Sequence, residues 1–215
     1  MKLKVCLLIG FLFVVMLKGS TYAQKGPTRK LLKAEAPAEF TVVFTTTQGE
    51  FRVRAYRNWD PVGVDRFHQL IVSSFFTDMA IFRVQVGYVA QFGISDKKTL
   101  NEAWEKYPLK DAEVKGSNTK GRIAFARGEP ETRTTQLFIN LADNNQLDTI
   151  SYFGLLGFPP IAEVIEGMDV VELFYGGYGS EPSDNQDQIY SKGNAWLKEN
   201  YPEMDYIIKA EIVND

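Results

Sequence analysis

The sequence predicts a mainly-β protein, a barrel closed at its ends by helices. Three observations lead there. Short apolar or alternating segments recur along the chain, bounded by Gly, Pro, Asn and Asp. Only two stretches carry helical spacing of any length. The 215 residues are 45% hydrophobic and 13% aromatic, enough for one full core and unlike a disordered chain.

The elements follow in order. Residues 1–23 read as a signal peptide. Lys2 and Lys4 precede a 13-residue apolar run, Val5 to Leu17, too short to span a bilayer comfortably, and Thr21 and Ala23 place small residues before Gln24. Cleavage there would move the net charge from -3 to -6 and remove the one Cys. Residues 24–37 lack periodicity and read as a flexible leader. The domain is expected over 38–215. Phe40–Thr47 and Phe51–Arg57 alternate around Gln48-Gly49, a β-hairpin signal. Asp60-Pro61 is an N-cap followed by Pro, and Val64, Phe67 and Ile71 continue at helical spacing to about Ser73.

Ile81–Val89 and Val89–Ile94 are strand-like, and 97–120 is charged and turn-rich. Arg122–Ala126, Gln136–Leu141 and Ile161–Ile165 are further strands. Gly167–Tyr175 suggests the second helix, 176–187 a loop, Ala195–Asn200 a short helix and Tyr206–Val213 the last strand.

Composition also excludes functions. A net charge of -3 argues against nucleic acid as a partner. One Cys and one His exclude an internal disulfide and a Cys/His zinc site. Any enzyme here works largely without the usual nucleophile and general base. His68 completes no triad. Asp143-Asn144-Asn145 with Asp148 is similar to a calcium loop, but lacks Gly at the sixth position and has Gly154 where the twelfth-position Glu belongs. Gly176-Gly177-Tyr178-Gly179 follows no strand, which weakens a nucleotide reading.

Four segments are far more specific: Phe82–Gly93 (FRVQVGYVAQFG), Asn118–Arg127 (NTKGRIAFAR), Thr135–Asn140 (TQLFIN) and Ala162–Val171 (AEVIEGMDVV). In order and spacing they resemble the cyclophilin family of peptidyl-prolyl cis/trans isomerases. The likeness spans about 40–175 plus the last strand. Ala126-Arg127 and the extra loop 149–157 resemble its bacterial branch. The resemblance implies a closed, eight-stranded antiparallel barrel with two capping helices, no metal and no organic cofactor. It implies Pro-containing polypeptide segments as partners, and localisation in the periplasm or outside the cell follows from the signal peptide. A monomer without stable membrane insertion is expected.

Residue by residue, Arg83 matches the catalytic arginine and Gln91 and Gln136 the two glutamines flanking the peptide. Tyr88 and Val89 stand for the usual Phe and Met of the proline pocket. Phe138 matches its floor, Leu147 its Leu, and Ala126 and Arg127 the pair whose backbone meets substrate. Two positions depart: Gln146 replaces a frequent Trp or Phe, and Phe158 a frequent His or Tyr. Pro159-Pro160 beside it is unusual in a strand. The stretch 176–205 exceeds the family core and has no expected role.

The chemistry fits these residues. Amide resonance opposes rotation by roughly 18–20 kcal/mol. A catalyst of rotation needs no nucleophile; it must prefer the twisted amide to either planar form. An apolar grip on the proline ring and a guanidinium donor aimed at its nitrogen would do so, with Gln91 holding a carbonyl. Two other functions compete. One is a Pro-peptide-binding or chaperone module with little turnover, motivated by Gln146, Phe158 and Pro159-Pro160. The other is a barrel carrying a small apolar ligand, disfavoured by Arg83, Gln91 and Gln136.

Overall fold

The computed structural model describes residues 23–213, so all of the expected signal peptide but Ala23 lies outside the described residues. The chain builds β1 (Glu39–Thr46) and β2 (Gly49–Tyr56), preceded by the short helix α1 (Arg29–Leu32) and followed by α2 (Pro61–Val72). Next come β3 (Met79–Ala80), β4 (Arg83–Gln85), β5 (Val89–Phe92), α3 (Lys98–Glu105), β6 (Arg122–Phe125) and β7 (Leu137–Asn140). A 3-10 turn (Asn145–Asp148) leads to the small hairpin β8 (Ser151–Tyr152) and β9 (Leu155–Leu156). The chain ends with β10 (Pro160–Glu166), α4 (Met168–Glu172), α5 (Glu181–Asp184), α6 (Gln186–Asn200) and β11 (Tyr206–Val213).

One antiparallel sheet of nine strands, ordered β3-β11-β1-β2-β10-β6-β7-β5-β4, curls around the core. This differs from the expected closed eight-stranded barrel capped by two helices. A single strand was expected from Ile81, but its neighbourhood is split into β3, which pairs with β11, and β4, which pairs with β5. The two ends of the strand order are therefore joined through Ile81 and Phe82.

The period-two pattern decides the core. Val42, Phe44, Phe51 and Val53 point inward and are buried, with Phe44 stacked on Phe51 at 4.9 Å. On α2, Asp60 caps the helix by accepting from Gly63 N at 3.0 Å, and Val64, Phe67, Leu70 and Ile71 pack into the same core. Pro160, unusual in a strand interior, is the first residue of β10 and sits where the register with β6 shifts.

Three segments differ from the sequence reading. Residues 24–37, expected as a flexible leader, are docked. Gln24 Nε2 donates to the carbonyls of Phe75 and Thr77, Gln69 Nε2 donates to that of Ala34, and Leu31 and Leu32 pack on the core. Helix α3 lies inside the charged stretch. Its N-cap, Lys97, offers no side-chain bond, and Leu100 and Trp104 are its buried apolar anchors, with Asn101 bonding the Ser95 backbone. Burial of Trp104 against Phe75 and under the Arg66 guanidinium outweighs that weak local signal. Residues 176–205, expected as loop and a short helix, form α5 and the longer α6.

The last segment has its own apolar cluster. Ile189, Leu197, Tyr201 and Met204 pack on Ala80, Phe82 and Ile94. Helix α6 bends at Gly193, whose φ of +63° is the left-handed region that Gly tolerates. There the Asn194 amide donates to Asp96 Oδ1 at 2.6 Å and the Asn194 side chain to Asp78 O. A Cβ at Gly193 would lie 2.3 Å from Asp96 Oδ1, so the close approach also requires Gly.

His68, on α2, packs edge-on against Phe40 at 5.2 Å, and its buried Nδ1 has no hydrogen-bond partner among the described residues. Burial lowers its pKa below the ordinary value, with Asp65 opposing. A base depressed on folding takes up its proton first in the unfolded chain. Its stabilising effect is therefore present above about pH 6.5 and is lost as pH falls through the lower folded value. Between pH 7.5 and 5, the urea midpoint should fall more for the natural protein than for His68→Gln. Equal falls would show that neutral His68 contributes nothing.

Candidate active site

The alternation that fills the core also builds a cleft on the opposite face. Along β5, Ala90 and Phe92 enter the core while Val89 and Gln91 face the cleft. Along β6 and β7, Ile123, Phe125, Leu137 and Ile139 are core, and Ala124 and Phe138 belong to a second cluster with Val89 and Leu147. Register then sets the neighbours. Arg83 lies opposite Gln91, Gln91 opposite Phe138, and Phe138 opposite Ala124, one row across four strands. Gly93 ends β5 so close to β7 that a Cβ would lie 2.4 Å from Thr135 O.

The resulting pocket encloses about 200 Å³. Arg83, Tyr88, Val89, Gln91, Ala126, Arg127, Phe138, Leu147 and Phe158, all expected from the sequence, line it. Its floor is apolar: Phe158 meets Phe138 edge-on at 5.7 Å and Tyr88 packs beside them. Arg127 covers the Phe158 ring at 4.8 Å and donates to Gly157 O at 2.7 Å. Burial lowers the Arg127 pKa, opposed by Asp111.

Arg83 lies at the polar end, its guanidinium carbon 5.8 Å from the Tyr88 ring centre. Its Nη1 donates to Gln91 Oε1 at 3.1 Å and its Nη2 to Gln85 Oε1. Its buried Nε has no partner among the described residues. Since a guanidinium only donates, Gln91 must present its oxygen to Arg83 and its amide to Gln136 Oε1, at 2.9 Å. Gln136 is thus one bond from the pocket rather than on its wall. Gln146 is exposed in the 3-10 turn, donates to Asn144 Oδ1 at 3.3 Å and does not line the pocket, whereas the neighbouring Leu147 does. A 3-10 turn eclipses residues three apart, so adjacent residues face different ways.

The sequence reading missed several supports. Asn144 Nδ2 donates to Tyr88 O and Asn140 Oδ1, both at 2.8 Å. Asn140 donates to Asn118 Oδ1, and Asn118 to Phe158 O at 2.9 Å. This buried amide network holds Tyr88, Leu147 and Phe158 in place. Asn118 and Asn140 sit inside the recognised segments, and Asn140, closing the apolar run Leu137–Ile139, was the available signal. Ser183 and Gln186 also line the pocket, from a segment with no local signal for it.

The family model described as cyclophilin type peptidyl-prolyl cis-trans isomerase/CLD matches residues 41–193. The chain belongs to the cyclophilin family. Among its cyclophilin relatives, the peptidyl-prolyl cis-trans isomerase of Acinetobacter baylyi is 31% identical over 144 residues, covering 66% of this chain and 75% of that one. Peptidyl-prolyl cis-trans isomerase B of Escherichia coli is 28% identical over 180 residues, covering 81% and 99%. In fold, a Cryptosporidium parvum cyclophilin matches with a TM-score of 0.61 at 15% identity, over 82% of this chain and 99% of that one. The same cyclophilin was solved in the presence of the dipeptide ala-pro and matches at 0.60. Among the described residues, no trio of His, Cys, Asp or Glu is arranged to hold a metal ion, and no helix is long and apolar enough to cross a membrane.

Proposed function

We propose that this cyclophilin accelerates X-Pro bond rotation in exported polypeptides, acting as a monomer, with Arg83 stabilising the twisted amide. The observation that carries the mechanism is the Arg83 guanidinium. Its Nη1 and Nη2 are held by Gln91 and Gln85 beside the apolar pocket that Arg83 lines, and each keeps a second N–H for substrate. The proline ring enters the floor formed by Val89, Phe138, Leu147 and Phe158. Gln91 holds the carbonyl preceding the proline. As the amide twists, resonance is lost and the proline nitrogen gains a lone pair, which Arg83 meets with a donor. That interaction exists mainly in the transition state, so it accelerates the reaction rather than merely tightening binding. No proton leaves or arrives at any side chain.

The isomerase names of the bacterial relatives and the ala-pro dipeptide used with the Cryptosporidium cyclophilin support the reading. A protease-coupled proline isomerisation assay tests it. Accelerated cis-to-trans conversion is expected, whereas peptide binding without turnover would favour the chaperone or binding-module function. Export rests on the amino-terminal sequence. Intact mass of the exported protein should give a chain starting at Gln24, and retention of Met1 would refute cleavage.

A further inference from the structure

The insertion reaches the cleft through Gln186. It lines the 200 Å³ pocket and also a neighbouring cavity of about 390 Å³, so it stands on the partition between them. Gln91 lines both as well. If Gln91 holds the carbonyl before the proline, the side chain of that preceding residue lies beside the partition.

The orientation of Gln186 is set from Arg83 outward. Gln136 Oε1 accepts from Gln91, so its amide must face away, and it donates to Gln186 Oε1 at 2.9 Å and to Tyr190 Oη at 3.2 Å. Burial, with Glu105 nearby, pushes Tyr190 up to about 12, so the phenol stays neutral. With its oxygen engaged, Gln186 has only its Nε2 left for a ligand, and this donor has no partner among the described residues. The helix start that carries it is fixed by Ile189 in the insertion's apolar cluster and by the Asn194–Asp96 bond further along.

We propose that Gln186 is a substrate-contacting residue, which selects peptides whose residue before proline carries a hydrogen-bond acceptor. This rests on the isomerase reading of the same cleft. The donor Nε2 is preorganised, so an acceptor side chain gains a bond without ordering the protein, while an apolar one leaves the amide facing it unpaired.

Two proline peptides differing only in the preceding residue, Asn or Leu, provide the test. Gln186→Leu removes both amide functions. Gln186→Glu keeps an oxygen for Gln136 and removes the donor, so it isolates the substrate contact. The preference for the Asn peptide over the Leu peptide should fall about three- to tenfold in both variants, read as the ratio of the two KM values. If the Leu variant fails to fold, the Glu variant alone decides. Unchanged affinity for the Asn peptide, or equal loss for both peptides, would reduce Gln186 to a strap and overturn the proposal. A natural protein that binds both peptides without turning them over removes the isomerase reading, and the binding comparison still decides this one. A natural protein that binds neither overturns both.

Discussion

Replacing Arg83 by Ala is expected to lower kcat/KM for X-Pro isomerisation by about 10²–10³-fold, the cost of losing one preorganised transition-state donor. The loss should fall on kcat, because the pocket that binds the ring is built by other side chains. The melting temperature should fall only slightly, since Arg83 is half-buried and its lost partners, Gln85 and Gln91, are amides that water can reach from the cleft. Arg83→Lys should rescue little. An ammonium is a point charge that cannot bond Gln85 and Gln91 as a planar fork and keep the same aim at the substrate. Activity of the Ala variant close to that of the natural protein would remove Arg83 from the mechanism.

The largest stability effect is expected at Arg133. This side chain is fully buried, pairs with the equally buried Asp60 and donates to Lys110 O. Asp60 also caps α2. Beside them Arg66 donates to Thr134 O at 3.0 Å and Tyr107 O at 2.7 Å. Burial, and then the Arg133 charge, pushes Arg66 down to about 10. The two arginines tie residues 107–134 to α2, and that stretch carries Ala126 and Arg127 to the cleft. Arg133→Met leaves the buried Asp60 charge without its cation, with only the cap bond to Gly63 N, which costs about 3–5 kcal/mol. In a domain of this length, that lowers the melting temperature on the order of 10 °C. Adding Asp60→Asn keeps a capping oxygen and removes the stranded charge, so the double variant should recover part of the loss. A single variant within about 1 kcal/mol of the natural protein, the scale of an ordinary surface change, would mean that the pair is no keystone.

What was legible in the sequence follows from locality. Asp60-Pro61 and the spacing of Val64, Phe67 and Ile71 gave α2 to within a residue because cap, Pro and apolar stripe are all local. The hairpin was legible from alternation alone. The wall residues from Arg83 to Phe138 came from recognised segments, and strand register assembled those on β4 to β7. Gln146 was placed by the resemblance, at a position that is often Trp or Phe, and it sits one step along the 3-10 turn from Leu147, which lines the pocket. Helix α3 has two apolar anchors and no cap, so its stability comes from Trp104 meeting residues about thirty positions earlier. Gln136–Gln186 spans 50 residues, with Gln136 in a recognised segment and Gln186 in none, and only the folded chain brings those amides together.

The insertion does something else at the sheet's ends. Val84 of β4, the terminal strand, donates its backbone amide to Gly179 O at 3.1 Å. At the other end, Asp78 O beside β3 accepts from the Asn194 side chain. Exposed strand edges act as templates on which extended chains add themselves. A catalyst of prolyl rotation meets such chains continually, in the state most prone to strand addition. Gly179 and Asn194 each occupy a backbone group at one end of the strand order, which leaves an extended chain fewer open ladder groups there to join. The same segment that borders the pocket therefore also shields the two ends of the strand order.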